Sequence, residues 1–212
     1  MKNWIRIILG LVILQTAVFA VLHRANARLS ANTVKPAKSI AVSEAALIGD
    51  ETELRGGRHA RYTLIEFGDY QCPACARRHE EVKNLLAEFP AELRFGFRHY
   101  PLIGHSFAMN CALTAERARS LGRFWETHDG LYKLNSNVSP PQVTELRNRL
   151  HLNFDSMSSA QTDLAVKRIQ ADMTLAESCS IEETPTFVLC GPGGQVLKLG
   201  DISQVETLLQ SQ

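Results

Sequence analysis

No excess of one charge marks this chain of 212 residues: 23 Lys and Arg stand against 22 Asp and Glu, a formal net charge of +1. The basic residues are scattered among acids rather than gathered in a stripe, so the electrostatic footprint of a nucleic-acid binder is missing. Internal repeats and low-complexity tracts are missing too. There is a single Cys-x-x-Cys pair, with no second such pair, which argues against the usual four-ligand zinc site. What remains is the composition of a globular protein, 45% hydrophobic and 21% charged, able to bury a real core. The length suits one ordinary domain with room for an insertion or a tail.

The first residues differ in kind from the rest. Lys2 and Arg6 precede an uncharged run, Ile7 to Leu22, sixteen residues long. A basic start before an apolar stretch is the pattern of an export signal, with its charged end in the cytoplasm. Ala25-Asn26-Ala27 offers a small-x-small cleavage site, while the length of the run favours an uncleaved membrane anchor. Either way residues 1–27 place the remainder on the outer, periplasmic side of a membrane. Residues 28–50, with Ser, Ala, Asn, Lys and Pro and little periodicity, read as a linker.

Tyr62 to Phe67 is β-rich and reads as a strand buried on both faces. Gly68 to Gln71 turns the chain, and a helix begins at Cys72 with Pro73 in its first position, where the missing N–H costs nothing. Val82, Leu85, Leu86 and Phe89 give it an apolar side, and Pro90 ends it. Cys72 therefore sits where free N–H groups and the helix dipole stabilise a thiolate. Cys75 lies one turn further in, within reach of the first sulfur. Such a dithiol can attack a disulfide, hold it as a mixed disulfide, and release it by internal attack, with Cys72 the nucleophile and Cys75 the resolving thiol. Zinc binding and a structural disulfide are the other uses of a lone Cys-x-x-Cys.

Glu66 is the one acid in an otherwise apolar strand, six residues before Cys72. Half-buried beneath the helix start, it would have a raised pKa and could relay the proton of Cys75; a hydrogen-bonded strand residue is the other reading. Asp69 reads as a turn residue, and His79 as an exposed helix residue among several charges.

Taken together, Ile65 to Cys75 resembles the active-site segment of the DsbA-like thioredoxin-fold oxidoreductases. Phe95 to Leu102 is similar to that family's second strand and following turn. Gly122 to Asp129 resembles its insertion, and Glu183-Thr184-Pro185-Thr186-Phe187 its cis-proline loop. The matches fall in family order over residues 61–210. The resemblance implies an α/β thioredoxin fold, a mixed central sheet flanked by helices, with an all-helical insertion. Residues 51–102 would form the first half of the domain, 103–178 the insertion and 179–212 the second half. It implies that Pro185 is cis and faces the Cys72 sulfur, and that the Thr184 backbone pairs with a bound substrate alongside Pro73 and Ala74. It implies disulfide exchange with exported cysteine-containing proteins, a membrane redox partner and no cofactor. Pro73-Ala74 stands where the best-known oxidases carry Pro-His, and Thr184 is also met in reducing and isomerising relatives. The direction of electron flow stays open.

The remaining pattern is helical. Ala108, Cys111, Ala112, Ala115 and Ala118 recur at helical spacing; stretches follow at Phe124 to Lys133, after Ser139, and from Thr162 to Cys179. Phe124, Trp125 and His128 read as packing of the insertion, with a substrate surface the alternative. Thr186 to Leu189 and Gln195 to Leu199 form a hairpin, and Ser203 to Leu209 a closing helix. Cys111 reads as a small buried hydrophobe. Cys179 and Cys190 flank the Pro185 loop, but Cys190 falls at the far end of a strand rising about 3.3 Å per residue, so pairing is not expected. Two readings compete with an oxidising enzyme: a reductase or isomerase fed by a membrane electron donor, and a carrier of copper or zinc using Cys72, Cys75 and His79.

Overall fold

Strand β3 (Tyr62–Gly68) is the axis of the molecule: every one of its seven residues is buried. Aromatic and β-branched residues favour such a pleated, doubly covered site. In the computed structural model, which describes residues 35–49, 52–134 and 138–210, β3 lies inside a six-stranded sheet. The other strands are β1 (Lys38–Ser39), β2 (Leu54–Gly56), β4 (Leu93–His99), β5 (Thr186–Gly191) and β6 (Gln195–Lys198), and the order is β1-β6-β5-β3-β4-β2. β3 runs parallel to β4, with Glu66 opposite Phe97, and antiparallel to β5, with Glu66 opposite Phe187. This is the mixed sheet of a thioredoxin fold.

Among the described residues seven α-helices accompany it: α1 (Glu44–Ile48), α2 (Pro73–Glu88), α3 (Ala108–Arg119), α4 (Phe124–Lys133), α5 (Pro140–Arg149), α6 (Ser159–Ser178) and α7 (Gln204–Gln210). α3 to α6 all fall between β4 and β5, so among the described residues the insertion carries helices and no strand. Alternation along β3 sends Tyr62 and Leu64 into one core with Val82 of α2 and Leu131 of α4. Ile65 and Phe67 enter a second, with Leu47 of α1 and Ala176 of α6. α6 opens on a reciprocal cap, Gln161 N–H to Ser158 Oγ at 3.3 Å and Ser158 N–H to Gln161 Oε1 at 2.9 Å.

Residues 28–50 do not serve as a linker throughout. Lys38 and Ser39 pair with Lys198 and Leu197 on the sheet edge. Leu47 is fully buried, and Arg98 donates to the Leu47 and Ile48 carbonyls while bonding Asp172 at 2.7 Å. The short apolar helix is too brief to show a period, so its docking was invisible in the pattern. β4 is covered on both sides; its polar face is carried by Arg94 and Arg98, both half-buried. All of these elements belong to the unit that begins at Ala37. The expected export or anchor segment, residues 1–27, lies outside the described residues, and among those described no helix is long and apolar enough to cross a membrane.

Candidate active site

The turn between β3 and α2 is built on Asp69. Its backbone carbonyl accepts from Cys72 N–H at 3.0 Å and its Oδ1 from Gln71 N–H at 2.7 Å. Its Oδ2 accepts from Leu102 N–H at 2.9 Å and pairs with His105 Nδ1 at 2.7 Å. Gln71 Oε1 accepts from Phe107 N–H at 2.8 Å. Asp69 is thus more than a turn residue: only 2% exposed, it ties the 102–107 loop to the start of α2. Ile103 stands fully exposed on that loop, at 104%.

Cys72 caps α2 with extended backbone, and Pro73 takes the first helical position. The helix carries no acid in its first turn, so nothing there opposes an anion at its N-terminus. The Cys72 thiol is held down at about 5: the Cys75 thiol bonds to it, burial opposes, and Thr184 and the Cys75 and Ala74 N–H groups add to the stabilisation. Cys75, fully buried, is pushed far up by burial, by its bond to Cys72 and by the charge of Glu66. The pair is therefore asymmetric, an anionic sulfur at the surface side and a protonated one behind it.

The Thr184–Pro185 peptide is cis. As a thiol, Cys72 Sγ donates to the Thr184 carbonyl at 3.3 Å. Pro73 is exposed, and Ala74 and Pro185 are half-buried beside the sulfur's helix and loop. All five cysteines are free and buried. Cys111 lies in the first core and Cys179 and Cys190 in the second.

Glu66 is fully buried. Burial lifts its carboxyl to about 8, with the Tyr132 hydrogen bond, Arg55 and Cys75 pulling down and the Cys72 charge pushing up. Tyr132 O–H donates to Oε1 at 3.2 Å, whereas Oε2 has no hydrogen-bond partner. Gly68 makes this pair possible, because a Cβ there would come within 2.8 Å of both Glu66 Oε1 and the Tyr132 oxygen.

Tyr132 was not singled out in the sequence, although Phe124, His128 and Tyr132 follow at four-residue steps on one face of α4. That face packs on the sheet. Tyr70 reaches His128 Nδ1 at 3.0 Å through its hydroxyl, and its ring lies 5.2 Å from Phe97 and 5.0 Å from Tyr132. Phe124 and His128 are buried and Trp125 is partly so, which makes them the seam between insertion and sheet. His79 is not exposed: at 2% exposure it points inward four residues after Cys75, covered by α4. Charged neighbours on the solvent face hid its inward position. Nor does it join the thiols: among the described residues the one group of three ligand atoms suited to a metal is His79, His128 and Asp129, without Cys72 or Cys75.

A family model described as thioredoxin matches residues 50–206. Among curated proteins, a Na(+)/H(+) antiporter, NhaA 1 of Salinispora arenicola, is 35% identical over 144 residues, which is 67% of this chain and 22% of the antiporter. The chain thus spans about a fifth of the length of the curated relatives it matches. Among solved structures, the catalytic domain of Proteus mirabilis ScsC superposes with a TM-score of 0.66 at 18% identity, over 79% of this chain and 92% of that one. The thiol-disulfide exchange protein alpha-DsbA2 of Wolbachia pipientis superposes with 0.64 at 13% identity, over 79% and 90%. At such identities the likeness is one of fold.

Proposed function

This chain belongs to the thioredoxin family, with the DsbA-like arrangement of sheet and helical insertion, and from that premise we propose that it exchanges disulfides with exported proteins through Cys72 and Cys75. The observation that carries the proposal is the placement of the two sulfurs: Cys72 caps α2 3.3 Å from the Thr184 carbonyl of the cis-proline loop, and Cys75 is fully buried, which lowers the first thiol's pKa and raises the second's. A stabilised Cys72 thiolate is a good leaving group and favours the dithiol form, which makes the disulfide form oxidising.

In that direction a client thiolate attacks Cys72 Sγ of the Cys72–Cys75 disulfide. The S–S bond breaks, Cys75 leaves as a thiolate and takes a proton, and client and Cys72 are joined. A second client thiolate then attacks the client sulfur and releases Cys72 as its stable thiolate. The client dithiol loses two electrons and two protons; the protein's disulfide takes both electrons and one proton, on Cys75, and the second proton goes to solvent because Cys72 stays ionised. Glu66 is the group that exchanges the proton with Cys75, being buried, titrating near neutrality and leaving Oε2 unbonded. Pro73, Ala74, the Thr184 backbone and Pro185 form the surface along which the client chain lies. No cofactor enters the cycle, and a membrane redox partner would restore the disulfide. The apolar run Ile7 to Leu22 behind Lys2 and Arg6 supports placing the domain outside the cytoplasm, either anchored or released after Ala27. An alkaline phosphatase fused after Gln212 is then active.

Cys75→Ala should trap clients on Cys72 as mixed disulfides, and Cys72→Ser should trap none. Full turnover by Cys75→Ala would overturn the assignment. A reduction potential above about −200 mV supports the oxidising direction, and one below about −250 mV assigns a reductase.

A further inference from the structure

One turn beyond Cys75, α2 turns a second chemically active group inward. His79 is buried and its Nε2 has no hydrogen-bond partner. From α4, His128 faces it with ring centroids 5.3 Å apart; it is fully buried and its Nε2 also lacks a partner. Asp129, the next residue, brings Oδ1 to 3.5 Å from His79 Nε2. One ring nitrogen of each histidine and one carboxylate oxygen of Asp129 lie within 4.8 Å of one another. Two facing buried imidazoles, each with an Nε2 that has no hydrogen bond, beside a carboxylate are an unsatisfied arrangement in a protein interior.

We propose that His79 Nε2, His128 Nε2 and Asp129 Oδ1 bind one divalent ion of the zinc class, at a site separate from Cys72 and Cys75. Two imidazoles and a carboxylate with an open fourth position form a donor set that zinc accepts. Bonds of about 2.0–2.2 Å put tetrahedral ligand atoms about 3.4 Å apart. The 3.5 Å between His79 and Asp129 already meets that spacing, and a pair at the 4.8 Å limit closes by about 1.4 Å. Behind His128, the Tyr70 oxygen lies 3.0 Å from Nδ1. Metal binding selects the tautomer in which Nδ1–H donates to that oxygen and Nε2 offers its lone pair, the usual support for a ligating histidine. Both rings are buried, which disfavours their charged forms. Asp129, with 31% of its side chain exposed, is the open end through which an ion enters.

One group competes for the carboxylate. Arg55 Nη1 holds Asp129 Oδ1 at 2.7 Å while its guanidinium lies 4.5 Å from the centre of the Trp125 ring. An ion must displace that contact, so removing the cation should tighten binding.

The test is calorimetric titration of Zn(II) at pH 7.5 into the full chain carrying Cys72→Ser and Cys75→Ser, so that the Cys-x-x-Cys thiols contribute nothing. One ion per chain is expected. In that background His79→Gln and Asp129→Asn should each weaken binding at least tenfold, and Arg55→Gln should strengthen it several-fold. Circular dichroism identifies which variants are folded, and either of the first two alone decides the matter. The proposal is overturned by the absence of a stoichiometric site, by binding unchanged in a folded His79→Gln or Asp129→Asn variant, or by a folded Arg55→Gln variant that binds no better.

Discussion

Tyr132→Phe removes one hydroxyl and little else. The ring is 4% exposed and packs 4.9 Å from His79, 5.0 Å from Tyr70 and 5.0 Å from His128, contacts that phenylalanine preserves. What disappears is the 3.2 Å bond to Glu66 Oε1. A hydrogen bond to a charged group contributes about 1.5–3 kcal/mol, equivalent to about 1–2 pH units. Burial holds Glu66 at about 8 while Tyr132 pulls it down, so the variant should titrate about 1–2 pH units higher. At pH 7 the ionised fraction then falls from about one in eleven to about one in a hundred or less. If ionised Glu66 accepts the Cys75 proton, release of a preformed Cys72 mixed disulfide slows about tenfold or more at pH 7. The deficit vanishes above about pH 10, where both carboxyls are ionised. Rapid acid quench and mass spectrometry of the mixed disulfide from pH 6 to 10 would read both features. Release unaltered at pH 7, or slowed equally at every pH, refutes the role given to Glu66 and Tyr132.

Cys72 should react with iodoacetamide with a midpoint near 5; a midpoint at the ordinary thiol value of about 8.5 would remove the case for stabilisation at the helix start. In the reduced protein Cys72 and Glu66 act oppositely on stability. The Cys72 thiol, depressed from 9.0 to about 5, contributes stability that is complete above pH 9 and lost as pH falls to 5. Glu66, raised from 4.5 to about 8, contributes stability present below pH 4.5 and lost as pH rises to 8. Denaturant titrations of reduced Glu66→Gln should therefore show stability climbing from pH 5 to 9 more steeply than in the wild type; a flat or falling curve contradicts these titrations. Ile103→Glu, on the exposed loop hung from Asp69, should slow oxidation of a reduced unfolded protein several-fold and leave exchange with a small aromatic disulfide unchanged. Equal losses on both substrates would deny the loop a part in client docking.

What the sequence determined by itself is local. Pro73 after Cys72 starts a helix because proline lacks the N–H that the first turn does not use, and two cysteines three apart then share a face whatever surrounds them. The strand around Glu66, the Ser139 cap and the turn at Gly191 to Gly194 follow from similar short-range preferences. Other features depend on residues far apart in the chain. Thr184 meets Cys72 across 112 positions, and Tyr132 meets Glu66 across 66. His79 looked like one more polar residue on a charged helix until α4 covered it, and residues 38–48 looked like a spacer until they joined the sheet edge and the second core. Local patterns set which backbone conformations are cheap, but the partner of a buried polar atom is chosen by packing. Packing joins segments that carry no record of each other in their own periodicity.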